Sequence, residues 1–177
     1  MPLPPYPVIF IHGLASDAST WDKLRSFLTL HGWHDGGSPK FVRAETPSED
    51  WVDGVGWGHF YTMNMSDHND DPKSQTLTFE QQGYEVGKVI SRVRSVTGQS
   101  KVILIGHSMG GLEGQAQWDG SRSMPYDYDV EKSITIGTPH NGSPLATILQ
   151  DFPPVPALDW FRFLDPSSVA VLGLETN

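Results

Sequence analysis

Cysteine is absent from the 177-residue chain, which excludes disulfide staples, thiolate-bound metals and a thiol nucleophile together. That absence fits the cytosol and an oxidising compartment alike. Positive charge is scarce as well. Twelve Lys and Arg stand against 21 Asp and Glu, a formal net charge of −9, and no basic run occurs. Phosphate binding rests on clustered Lys and Arg, so nucleic acid is not expected as a partner. Long apolar runs are missing too: none approaches the ~18 residues that a membrane-spanning helix needs. The amino-terminal Met1-Pro2-Leu3-Pro4-Pro5-Tyr6 has neither the charged nor the apolar region of a signal peptide. A cytoplasmic chain and a mature secreted one with an added start Met therefore both stay open. With 37% hydrophobic and 11% aromatic residues, the composition is that of a globular chain, and its length predicts one domain.

What is present is an alternation of strand-like and helix-like segments. Pro7–Ile11 is a short continuous apolar run, as expected of a strand buried on both faces, and it ends in His12-Gly13-Leu14. A helix should follow, capped by Asp17 or Ser19, with Trp21, Leu24, Phe27 and Leu28 on one face and Gly32 as its stop. Lys40–Ala44 reads as a strand ended by Thr46-Pro47, and residues 48–76, rich in Trp, Gly, Asp and Asn, read as one long loop. Thr78 and Gln81 have the spacing of a capping box. Val86, Val89, Ile90 and Val93 then recur at i, i+3, i+4 and i+7, the stripe of a one-sided helix that Gly98 terminates. Val102–Ile105 is the third strand, Met109–Trp118 a helix, and Ser133–Ile136 the fourth strand. Apolar strands alternating with helices predict an α/β fold, a parallel sheet with helices on both faces. Ligands of such a sheet sit at the carboxyl ends of its strands, where His12-Gly13-Leu14, Ser108 and Thr138-Pro139-His140 all fall.

Gly106-His107-Ser108-Met109-Gly110 follows one of those strands and opens one of those helices. A Gly-x-Ser-x-Gly turn between strand and helix lifts the serine hydroxyl out of the sheet edge, where it can attack a carbonyl. A Cβ on either glycine would collide with the neighbouring strand or helix. The developing oxyanion needs donors already aimed at it. The Met109 N–H at the helix start is one, and the Leu14 N–H, placed by the His12-Gly13 pair, is the second. Gly13, His12 and His107 flank the serine on the substrate side. Chance glycine placement and an ordinary strand-ending turn are the competing explanations of these two segments.

Val8-Ile9-Phe10-Ile11-His12-Gly13-Leu14, Gly106-His107-Ser108-Met109-Gly110-Gly111 and Ile136-Gly137-Thr138-Pro139-His140-Asn141-Gly142-Ser143 together resemble three signature blocks of the α/β-hydrolase lipases. They are most similar to bacterial triacylglycerol lipases and the lipid deacylases that share the Gly-Thr-Pro-His block. The resemblance spans residues 7–146. It implies a serine carboxylic-ester hydrolase acting on an ester or lipid, with Ser108 as nucleophile and the Leu14 and Met109 amides as oxyanion hole. It implies one α/β-hydrolase domain over 1–177, with its core at 7–143 and a cap or lid beginning at 144–177. No cofactor is expected, and contact with a lipid surface stays open, as does the oligomeric state. In this family the order is serine, acid, histidine. Here the last histidine is His140, which the resemblance makes a rim residue rather than the base. Asp151, Asp159 and Asp165 have no strand downstream to aim them. The expectation is that this chain is the amino-terminal part of such a hydrolase, lacking the segment that carries acid and base. Its catalysis as it stands is then crippled but not always nil. Two alternatives remain: an acyltransferase or amidase of the same fold, or a non-catalytic domain that binds a lipid or a protein.

Weaker features complete the reading. Asp67-His68-Asn69-Asp70-Asp71 has the spaced oxygens of a calcium loop, but Pro72 stands where the turn needs glycine. His59 and His68 could add a metal site, though a solvated acidic loop accounts for the run, and no metal is expected. Trp51, Trp57, Phe60, Tyr61 and Met63 suit an acyl cleft or the core equally. Trp160, Phe161, Phe163 and Leu164 suit a lid face or buried packing.

Overall fold

The computed structural model describes residues 1–14, 16–46, 49–66, 77, 79–112, 114 and 127–140. In chain order the strands are β1 (Val8–Ile11), β2 (Lys40–Val42), β3 (Trp51–Asp53), β4 (Phe60–Met63), β5 (Val102–His107) and β6 (Val130–Ile136). Two helices intervene, α1 (Asp22–Leu30) and α2 (Phe79–Thr97). Four strands make one sheet in the order β4-β1-β5-β6, every neighbouring pair parallel. β2 and β3 pair antiparallel in a separate ribbon. The expected parallel α/β architecture is therefore present.

Successive strand residues point to opposite faces, and the core divides accordingly. Ile9, Ile11, Tyr61, Met63, Val102 and Leu104 meet Val86, Val89, Ile90 and Val93 of α2. On the other face Val8, Phe10 and Phe60 meet Trp21 and Leu28, with Leu24 partly buried against them. Each α2 valine or isoleucine so buried contributes about 1.5–3 kcal/mol relative to exposure. The predicted α2 stripe is fully buried, and Gly98 ends the helix at φ +70°.

Three expectations need correction. The stretch 48–76 is not one loop, because it holds β3 and β4, and Phe60, Tyr61 and Met63 are fully buried core residues. Trp51 and Trp57 are exposed instead. Lys40–Ala44 supplies only the short β2, which joins the ribbon and not the main sheet. On α1, Phe27 is exposed while Leu28 is buried. Consecutive helical residues lie about 100° apart, so the two cannot share a narrow stripe; Phe27 stacks on His31 at 4.1 Å. α1 is preceded by a 3-10 turn over Ala18–Trp21, capped by the Asp17 carboxylate, which accepts from the Ser19 N–H at 2.7 Å.

The two edges of the sheet differ. Beside β4, Asp35 bridges Phe60 and Lys40 bridges Asn64, and the N–H groups of Gly36 and His59 bond across at 2.9 and 2.8 Å. β6 is the outer strand on the other side among the described residues, with Ile134 and Ile136 exposed.

Tyr61 carries a pH signature. Its phenol lies against Gly36 and donates to the Gly56 carbonyl at 2.9 Å. Burial, aided by the negative charge of Asp35, pushes it from 10.0 up to about 12. Below pH 10 folded and unfolded chains both hold this proton; above it the unfolded chain ionises first. The stabilisation is thus complete below pH 10 and is lost as pH rises to about 12, on the order of 2–3 kcal/mol. Urea unfolding of the wild type should weaken more steeply over that interval than unfolding of Tyr61→Phe. Parallel slopes would contradict the assignment.

Candidate active site

Strand register brings the predicted site together. Ile11 of β1 lies beside Gly106 of β5, and His107 lies beside Ile136 of β6. His12-Gly13, Ser108 and Gly137-Thr138 therefore leave the sheet side by side at its carboxyl rim. Ser108 sits at φ +54°, the left-handed region that costs a side-chain-bearing residue roughly 1–2 kcal/mol. Strain of that kind persists only where the surroundings enforce it.

Several contacts enforce it here. The Ser108 N–H donates to the Ile136 carbonyl at 2.8 Å, and its own carbonyl accepts from the Gly111 N–H at 3.2 Å. The Thr138 hydroxyl donates to the same carbonyl at 2.8 Å. The chain is helical at Gly110–Leu112 and again at Gly114. A Cβ on Gly106 would lie 2.5 Å from the Gly110 carbonyl oxygen, and one on Gly110 would strike the His12 carbonyl oxygen and stand 2.8 Å from that of Ile11. A Cβ on Gly13 would lie 2.8 Å from the Ser108 Cβ. The first-strand turn thus presses directly on the serine, and only glycine fits between them.

The remaining predicted residues fall as follows. Met109 is buried, and its backbone opens the helix, where the first N–H groups have no intrahelical acceptor. Leu14 is partly exposed in the turn after Gly13. His12 is fully buried, with Nδ1 3.0 Å from the Gly13 carbonyl oxygen. His107 is exposed on the rim, its ring edge-on to Trp21 at 6.4 Å. His140 is exposed and bonds the Thr135 hydroxyl through Nε2 at 3.0 Å. Among the described residues no hydrogen bond joins Ser108 to a histidine ring. Asp151, Asp159, Asp165, the aromatic group 160–164, the region 144–177, the acidic run 67–71 with His68, Thr78 of the capping box, and most of the predicted Met109–Trp118 helix lie outside the described residues.

His59 has another occupation than metal. Its Nδ1 accepts from the His34 N–H at 2.8 Å, and its ring stacks edge-on to Trp57 at 5.0 Å. Among the described residues no three His, Asp or Glu are grouped to hold a metal ion. A depression lined by Asp22, Arg25, Ser26, Thr29, Leu30 and Asp35 lies away from the rim, on the side where Asp35 meets the start of β4.

Thr138 belongs to a block already singled out by sequence, yet its part in holding the serine was not legible there. Thr138→Val keeps the shape and removes the donated hydrogen bond, which should cost about 1 kcal/mol. Urea unfolding should register that loss, and Thr138→Ser, which keeps the donor, should recover most of it. Equal stability of the valine and serine variants would remove this role.

Residues 3–152 match the family described as PGAP1-like alpha/beta domain. Two curated relatives, each a triacylglycerol lipase, are 29% identical over 154 residues and 82% of this chain, one from Pseudarthrobacter phenanthrenivorans and one from Burkholderia plantarii. The match covers 37% and 33% of their lengths, so the chain spans about a third of the relatives it resembles. Among solved structures, the lin2722 gene product of Listeria innocua superposes with a TM-score of 0.55 at 19% identity, over 88% of this chain and 62% of that one. No helix among the described residues is long and apolar enough to cross a membrane.

Proposed function

Because the chain belongs to the PGAP1-like alpha/beta domain family and is a lipase-like member of the α/β-hydrolases, we propose that it is a serine carboxylic-ester hydrolase acting through an acyl-enzyme at Ser108. The carrying observation is the left-handed Ser108, wedged between Gly13 and Thr138 at the carboxyl rim of the sheet. In this reading the Ser108 Oγ attacks the ester carbonyl, and the Met109 and Leu14 N–H groups receive the oxyanion. Collapse of the tetrahedral adduct breaks the bond to the alkoxy oxygen, which leaves as the alcohol with the proton given up by Ser108. Water later splits the serine ester, releasing the acid and returning a proton to Oγ. His107, exposed beside the serine, and the Gly13 turn border the substrate, whereas buried His12 shapes that turn. No general base is assigned among the described residues. The two lipase relatives support an acyl ester of lipid type as substrate.

A fluorophosphonate tests this directly, since it reports an activated serine independently of the acyl chain. Incubation should add one phosphonyl mass, mapped by peptide sequencing to Ser108, and the same protein should turn over p-nitrophenyl esters. An unlabelled serine together with no turnover would instead favour a non-catalytic domain of this fold.

A further inference from the structure

We infer that Asn64 is a positioning residue for the oxyanion-hole loop, an inference that rests on the serine-hydrolase reading above. Asn64 is the first residue past β4, and Met63 before it is in register with Ile11 of β1. The Asn64 side chain therefore emerges at the level where β1 releases His12-Gly13-Leu14. Its Oδ1 accepts the Ala18 N–H at 2.6 Å, across 46 positions of sequence. Ala18 is buried and begins the turn into α1. The segment carrying Leu14 is thus held at both ends, by buried His12 just past β1 and by Asn64 at Ala18. An amide donor can be aimed at a developing charge only if its loop cannot swing, because a preorganised donor loses nothing to reorientation at the moment of reaction.

Asn64 is itself firmly seated. Its N–H donates to the Pro39 carbonyl at 3.1 Å, Met65 after it is buried, and the next residue, Ser66, is clamped by Glu85 of α2. The Glu85 carboxylate, fully buried, accepts from the Ser66 N–H at 2.8 Å and from its hydroxyl, and pairs with Arg43 at 3.3 Å. One post thus connects the α2 face of the sheet to the loop that frames Ser108.

The test uses the full chain and two readouts, hydrogen exchange and fluorophosphonate labelling. Asn64→Leu should speed exchange of the Leu14 and Ser16 to Ala18 amides at least tenfold. It should also slow labelling of Ser108 at least tenfold at saturating probe, with the half-saturating probe concentration unchanged. Asn64→Asp keeps an acceptor oxygen and should stay within threefold of wild type in both. If leucine prevents folding, Asn64→Ala carries the same expectation. Unchanged exchange in the truncated variants overturns the anchor. Faster exchange with undiminished labelling overturns the positioning role. A wild type that takes no label overturns the serine reading and this role with it, and it is told apart by a loop that still loosens without Asn64.

Discussion

Replacing Ser108 with alanine is expected to abolish fluorophosphonate labelling outright. With no base assigned to the serine, ester turnover should fall far less than it does in a complete triad, whose members act as a unit. The fold should hardly respond. Alanine meets the same backbone penalty at φ +54° that serine does, and the Ile136 and Thr138 bonds run through backbone groups of residue 108. The thermal midpoint should therefore move by no more than a few degrees. Loss of labelling with an intact midpoint isolates the hydroxyl as the reacting group. Label retained on the alanine variant would place the reactive residue elsewhere and end the proposal.

The second large effect is on stability. Gly110→Ala drives a methyl group into the carbonyl oxygens of His12 and Ile11, neither of which can move without displacing β1. Overpacking against backbone should cost about 3 kcal/mol or more, which in a chain of this size lowers the thermal midpoint by about 6–12 °C. Gly98→Ala is the informative control. No atom stands within 4 Å of a Cβ there, and only the φ of +70° is unfavourable, so the cost should be about 1–2 kcal/mol. Calorimetry on both variants separates steric exclusion from backbone conformation. A Gly110 variant as stable as the Gly98 variant would mean that the turn is looser than its contacts indicate.

Much of this was legible in the sequence for identifiable reasons. β1 and β5 are uninterrupted apolar runs because both of their faces are covered, and α2 shows its stripe because only one side is buried. The serine turn announced itself because its steric demands fix glycine at set spacings. β4 was missed. Phe60-Tyr61-Thr62-Met63 is a four-residue run inside a stretch dense with Gly, Trp and Asp, and a run that short gives no period to read. The β-favouring composition of those four residues was the available signal. Phe27 was misassigned because hydrophobicity marks a candidate for burial, and only the helix phase decides it. The Asn64–Ala18 bond leaves no trace at all, since two ordinary residues 46 apart meet only once the sheet has assembled. The same holds for the Glu85–Ser66 clamp, where a buried carboxylate on a helix reads from sequence as one more surface charge.

The asymmetry of the sheet's margins sets a direction for growth. Along β4 the backbone groups are taken up by residues 34–40, so no further strand can be stitched there without first peeling that segment away. β6 has no such guard among the described residues. Any strand that enlarges this sheet, whether from the same polypeptide or another, must come in alongside Ile134 and Ile136.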